Sequence, residues 1–351
     1  MESGLIILQD YYHLLWVIFG LLIGIVMAID LGAMDALRKS LSAKQPLSSK
    51  QSTEDKKKST FKQALTWTMV WISLAVIFAA IVYTMAGLDS FLEFVTGYTV
   101  EKSLSIDNMF VFIIIFSSLG IPHPFQHKVL SVGIITAIAM RIPLIIAGTS
   151  LIYSFHWMMY IFGGLLLATA VRMVLHRKEK INVEKNIAVR VLKRFISLRS
   201  NLHENRFLVR LTDGALYATP MLVALVIIEM TDLVFAIDSI PAVLAITTDP
   251  FIVITSNIFA ILGLRSLYFL LAGMMEKFYY LKPALVALLI FIGAKMLVSG
   301  LYKIPIEVSL IVIFAILGIA LGLSAIKARR ENNIRATIGK QDFHSKKRWS
   351  P

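Results

Sequence analysis

The sequence predicts an all-α polytopic membrane protein with about nine transmembrane helices. Three observations predict it. Several apolar runs of about 20 residues follow one another, and a helix of that length crosses a bilayer core of about 30 Å. The 351 residues are 57% hydrophobic and only 16% charged, with a mean hydropathy of +0.75, whereas a soluble domain carries about a quarter charged residues. The charges also fall in blocks: of 35 Lys+Arg, 8 lie in 38–62, 10 in 177–210 and 8 in 327–351.

Taken in order, the spans read as 12–36, 64–88, 97–119, 128–151, 155–175, 217–247, 251–274, 283–301 and 305–326. They organise the chain as a first helix (1–36), a basic linker (37–63), a second helix with its outer loop (64–96), a first three-helix repeat (97–175), a second basic linker (176–216), a second three-helix repeat (217–301), a last helix (302–326) and a basic tail (327–351). Segment 40–58 is rich in Ser, Lys and Gln and reads as disordered, as does the tail. Residues 187–195 place apolar side chains at helical spacing among bases and predict a basic surface helix. Gly20 and Gly24 form a GxxxG step for close packing. Trp16, Trp67, Trp71 and Trp157 suit interface or packing roles. His123 and His127 read as part of a short cytoplasmic turn with Pro122 and Pro124.

Basic loops stay in the cytoplasm. With nine spans, all three basic blocks fall on that side, which puts the N-terminus outside and the C-terminus inside. The net charge of +13 lies in linkers and tail, so it points to anionic lipid headgroups rather than nucleic acid. The chain has no cysteine, which excludes disulfides, thiolate metal sites and thiol redox chemistry of its own. Glu2 and Asp10 stand where a signal peptide has bases. No phosphate-binding glycine loop and no nucleophile–base set is visible. The expectation is therefore a non-enzyme with no permanently bound cofactor, driven by an ion gradient.

Two segments repeat a pattern. Glu101 is followed by five residues, then Asp107-Asn108; Asp232 is followed by five, then Asp238-Ser239; an Ile precedes each second acid. Arg141 and Arg172 follow the first at a spacing of 31, and Arg265 and Lys295 follow the second at 30. With three spans in each half, the second segment runs opposite to the first, which would make the halves inverted repeats, an arrangement of secondary transporters whose site lies near the midplane.

Carboxylates in hydrocarbon are expensive and face a bundle interior, paired or bound to an ion. Glu101, Asp107, Glu229, Asp232 and Asp238 are five such acids, with Asn108, Ser239 and Thr231 as neutral oxygen donors. All are hard ligands, which suit Mg, Ca or Mn rather than Zn or Cu. Asp30 and Asp35 of the first span are further candidates, Asp35 nearer the interface. Glu229 and Asp232 share a helix face, but Asp238 lies about 240° further round. Either Asp238 faces a different neighbour, or the helix breaks near Pro241, whose ring clashes with the Ile237 carbonyl. The five acids outnumber Arg141, Arg265 and Lys102, so a purely structural network would leave some unpaired. The two arginines are expected to neutralise spare carboxylates when the site is empty, and protons are the expected counter-ion.

Several motifs resemble one known family: 101–108 (EKSLSIDN), 217–220 (YATP), 229–242 (EMTDLVFAIDSIPA) and 247–265 (TTDPFIVITSNIFAILGLR). They resemble the TerC family, and within it the Alx branch, over roughly 14–323. That resemblance implies a multi-pass protein of the bacterial inner membrane, a historical tie to tellurium resistance and redox modulation, and kinship with the LysE transporter superfamily. It implies manganese export, with Mn²⁺ as the transported ion. The acidic positions would map onto Glu101, Asp107, Glu229, Asp232 and Asp238, with Asp30 in the matching Ala-Ile-Asp-Leu. A Ca²⁺/H⁺ exchanger and a non-transport stress factor are the alternative readings. Oligomeric state is not fixed by any of these features.

Overall fold

A computed structural model describes residues 13–27, 53–175, 190, 192, 194, 196–198, 206–210, 215–272 and 280–347. Asp30, Asp35, most of the first linker and most of the basic stretch 187–195 lie outside these residues, although Arg190, Leu192 and Arg194 are helical. The helices are α1 (His13–Met27), α2 (Thr53–Ser118), α3 (His123–Ser154), α4 (Met158–Leu175), α5 (Pro220–Leu244), α6 (Pro250–Ile261), α7 (Leu264–Ala272), α8 (Leu281–Val298) and α9 (Ile306–Lys347). Among the described residues, six helices are long and apolar enough to cross a membrane, or seven if α6 and α7, bent by 41° at their junction, make one span. The molecule is thus a polytopic helical membrane protein. Large side chains such as Val17, Leu21, Val76, Leu175, Ile311 and Ile319 are exposed; in lipid such a surface is solvated, whereas in water it would aggregate.

Helix starts follow from local chemistry. Proline stands in the first turn of α3, α5 and α6, where its missing N–H is not needed. Asp249 caps α6 by accepting from the Phe251 N–H at 2.8 Å. The continuous apolar stretch of α2, Phe61–Ser118, has 58 residues, about 87 Å if straight and nearly three bilayer cores. It is not straight: Gly87 takes φ 90 and ψ −177, backbone that a side chain resists. This break divides α2 into limbs 53–86 and 88–118. The expected outer loop at 89–96 is instead helical from the break onward, with Asp89 and Glu93 on its first turns.

Other expectations change too. Pro241 does not break α5, which runs on to Leu244; the lost hydrogen bond falls in the last turns, where helix is ending anyway. The interruption falls at Leu262 and Gly263, between α6 and α7. The tail, expected to be disordered from Lys327, continues α9 to Lys347; its Ala, Arg, Lys and Glu residues are good helix formers. Residues 53–60, assigned to the first linker, belong to α2. The all-α expectation also misses a small sheet, of order β1 (Ser197–Leu198), β3 (Leu216–Ala218), β2 (Leu208–Arg210), with β1 and β2 in the second linker and β3 across the expected start of the sixth span. Here β1 pairs parallel and β2 antiparallel with β3. His123 and His127 sit on the first turns of α3, and His127 stacks on Phe269 at 3.8 Å.

Packing joins the helices in defined pairs: α4 with α8, α3 with α5, and α2 with α5, α6 and α7. α4 and α8 touch backbone to backbone: a Cβ on Gly163 would meet the Gly293 carbonyl at 3.0 Å, and the converse holds. An aromatic core of Phe19, Phe78, Phe94, Phe251 and Phe259 ties α1 and both limbs of α2 to α6. A second core joins the ends of α2, α3 and α5 to α7, and a third joins α4, α8 and α9.

Candidate functional site

Four helices bring one polar cluster into the protein interior. Glu101 comes from the second limb of α2, Arg141 from α3, Asp232 from α5 and Asn257 from α6; each is at most 4% exposed. The Arg141 guanidinium is the hub. Its Nη2 donates to Asp232 Oδ1 at 2.9 Å and its Nε to Asp232 Oδ2 at 3.2 Å, a two-pronged fork. Its Nη1 donates to Glu101 Oε1 and to Asn257 Oδ1 at 2.9 Å. The Asn257 amide closes the ring by donating to Glu101 Oε2 at 3.2 Å. Two acids and one base leave the cluster one negative charge in excess.

The other acids take different partners. Asp238 points away from this cluster and accepts from Thr169 Oγ1 of α4 at 2.9 Å. That answers the spacing problem in α5: the helix is continuous and Asp238 faces another neighbour. Asp107 is half-buried and lies in the field of Lys282 on α8. Asn108 and Ser239 are buried, and Ser239 Oγ has no hydrogen-bond partner among the described residues. The Thr231 hydroxyl is tied to its own helix at Ile227 O, 2.6 Å. In this arrangement no three His, Asp or Glu side chains among the described residues converge as a metal site. Glu101 and Asp232 are brought together, and Arg141 stands between them.

Glu229 has a buried carboxylate that is unsatisfied among the described residues. Both carboxyl oxygens are buried and accept no hydrogen bond among the described residues. Thr136 approaches it, but the Thr136 hydroxyl donates to the Val132 and Gly133 carbonyls at 3.1 and 3.0 Å. Gly133 leaves room for the acid, since a Cβ there would sit 3.1 Å from Glu229 Oε1. Glu229 lines a cavity of about 20 Å³ with Asp232, Arg265 and apolar side chains of α2, α3, α5, α6 and α7. That is room for about one water-sized group. Arg265 reaches Ser131 Oγ at 2.9 Å.

Lys102 follows Glu101 and marks the α6–α7 break. Its Nζ donates to the Ala260 carbonyl at 3.0 Å, at the C-terminal end of α6, where the helix dipole favours a cation. Gly263 opens the space, because a Cβ there would lie 3.1 Å from Lys102 Nζ and 3.0 Å from Trp71 Cβ.

The sequence reading passed over Asn257. Its signal was present: Thr255, Ser256 and Asn257 are three consecutive polar residues in an apolar helix, all at 0% exposure.

The Integral membrane protein TerC family model matches residues 86–332, which carry all four members of the buried ring. The chain belongs to the TerC family. Its TerC relatives include the uncharacterized membrane protein STKORF319 of Myxococcus xanthus, 49% identical over 269 residues, covering 77% of this chain and 84% of that one. Proteins named as a membrane-bound redox modulator, Alx, are also similar. The Salmonella typhi protein is 43% identical over 286 residues (79% of this chain, 88% of its own). The Escherichia coli K12 protein is 42% identical over 312 residues (87% and 92%). No solved structure matches. The TerC chain described here is thus of the Alx branch.

Proposed function

We propose that this chain exports a divalent cation, Mn²⁺ first among the candidates, across a bacterial inner membrane by alternating access of two inverted halves. The observation that carries the reading is the buried convergence of Glu101 and Asp232. These are the leading acids of the two repeated segments, and with Asn257 they present hard oxygen donors from three helices at one point. Asp107, Asn108, Glu229, Asp238, Ser239 and Asp30 complete the ligands and the path by which the ion enters and leaves.

The packing supports the two-fold reading. Exchanging the second limb of α2 with α5, α3 with α6–α7, and α4 with α8 turns each main helix pair into another main pair or into itself. The nine-span count treats the limbs of α2 as separate crossings, α6–α7 as one bent crossing and α1 as the first. With the basic blocks inside, it leaves the N-terminus outside. Protons are the counter-ion, no cofactor is held permanently, and the basic blocks meet anionic headgroups. The relatives' name suggests redox modulation instead, but a chain without cysteine has no thiol to exchange. A Ca²⁺/H⁺ exchanger would use the same oxygens.

Purified protein in sealed vesicles tests the proposal. Radioactive manganese should cross only vesicles holding the protein, excess unlabelled Mn²⁺ should compete better than Ca²⁺, and Asp238→Asn should abolish flux. Vesicles that pass no manganese at any pH would leave the chain a non-transporting membrane factor.

A further inference from the structure

The Arg141 guanidinium donates to Glu101, to both carboxylate oxygens of Asp232 and to Asn257. Those four oxygens come from three helices, and all three side chains are almost fully buried. An inward-facing ring of this kind is what a hard cation would coordinate. Arg141, itself 1% exposed, already fills it with a positive charge tethered to a fourth helix. A divalent ion and the guanidinium therefore cannot hold these oxygens together. We propose that Arg141 is a built-in substitute for the transported ion. It occupies Glu101 and Asp232 when no metal is bound, and the metal must displace it. This rests on the export reading above and adds which residue lets the unloaded carrier reset.

The physical reason is charge. A carrier that returns without its ion must carry its empty ligands through a low-dielectric interior. Glu101 and Asp232 alone would present two negative charges there; with Arg141 on them only one remains uncompensated. Arg265, the matching base of the second half, bonds Ser131. An unsatisfied acid also stands near the guanidinium. Glu229 stands one turn before Asp232, within reach of the charge on Arg141, and its oxygens take no hydrogen bond among the described residues. Competition of this kind lowers apparent metal affinity by the fraction of time the ligands are free.

Full-length protein in vesicles, with manganese as probe, distinguishes net efflux from exchange of labelled for unlabelled Mn²⁺ across the membrane. Exchange returns a loaded carrier and needs no substitute cation; net efflux returns an empty one. Arg141→Gln should lose net efflux by about tenfold or more, keep exchange, and bind Mn²⁺ about tenfold tighter. Should Arg141→Gln fail to fold, Arg141→Lys decides: a retained positive charge should preserve net efflux at reduced rate together with exchange. Net efflux unchanged in Arg141→Gln would overturn the inference, because protons would then neutralise the ligands. Loss of exchange and net efflux together in a folded Arg141→Gln protein, or in Arg141→Lys, would also overturn it and leave Arg141 a structural brace. Wild-type vesicles that show neither flux sink the export reading itself, and the inference with it.

Discussion

Replacing Asp232 by Asn removes one charge from the interior and leaves the side-chain shape nearly unchanged. The fork to Arg141, bonds of 2.9 and 3.2 Å, then faces one carbonyl acceptor and one amide that is itself a donor. One bond is lost and two donors oppose each other. Breaking a buried ion pair from one side costs about 3–5 kcal/mol. Glu101 still balances Arg141, so the lower end applies, about 3 kcal/mol or about a hundredfold in the unfolding equilibrium. Arg141→Gln strands two carboxylates side by side and should cost more, about 4 kcal/mol. The double variant removes the pair itself, so its cost should be close to that of one single variant, not to the sum. The coupling in the cycle is then about 2–4 kcal/mol in size. Equilibrium unfolding in mixed micelles, followed by helix signal and tryptophan emission, measures all four proteins. Single costs that add to within about 0.5 kcal/mol would refute the bonded cluster.

Three further outcomes follow from the same geometry. Gly163→Ala should destabilise by about 1–3 kcal/mol, because its methyl would press on the Gly293 carbonyl. Gly164→Ala, with nothing within 4 Å of its Cβ, should be neutral or gain up to about 1 kcal/mol from helix propensity; equal melting shifts for the two would contradict the α4–α8 contact. Gly263→Leu should push Lys102 and Trp71 off the α6–α7 break and lower the melting temperature, and an unchanged melt would show that the break is roomier than described. Glu229→Gln should change stability by less than about 1 kcal/mol, since no hydrogen bond is lost, while manganese flux falls to background; a loss of stability matching that of Asp232→Asn would mean Glu229 is bonded after all.

Much of this architecture is legible in the residues. Hydrophobic run length gives a helical membrane protein, and Pro220 and Pro250 mark helix starts where they stand. The repeated acid pattern includes Glu101 and Asp232, which Arg141 bridges. The rest depended on distance. Arg141 lies 40 residues from Glu101 and 91 from Asp232, and spacing along a chain cannot say which of two matching arginines takes both acids. Polar Asp89 and Glu93 looked like a loop because composition alone cannot distinguish a loop from a polar turn of helix; the chain bends sharply at Gly87 instead. Pro241 was a stronger breaking signal than Gly263, yet a proline costs little in the closing turns. The break formed where Lys102 supplies a cation to the Ala260 carbonyl, a long-range contact. The strands of the small sheet, of two or three residues each, are too short for alternation to register.

The expense of this interior bears on its use. A buried ion pair is seldom the cheapest way to hold helices together; apolar side chains of similar volume often do as well or better. Here the chain already has three apolar cores that join all its long helices, with backbone contact at Gly163 and Gly293 besides. The ring of Glu101, Arg141, Asp232 and Asn257 adds registry that those cores supply, at the cost of one uncompensated charge. Beside it stands Glu229, for which the fold opens a space at Gly133 and supplies no hydrogen bond among the described residues. A brace has no need of an unsatisfied acid next to a satisfied one. An ion path does: it requires ligands that can change partners, and a carboxylate with none is where such a change can begin.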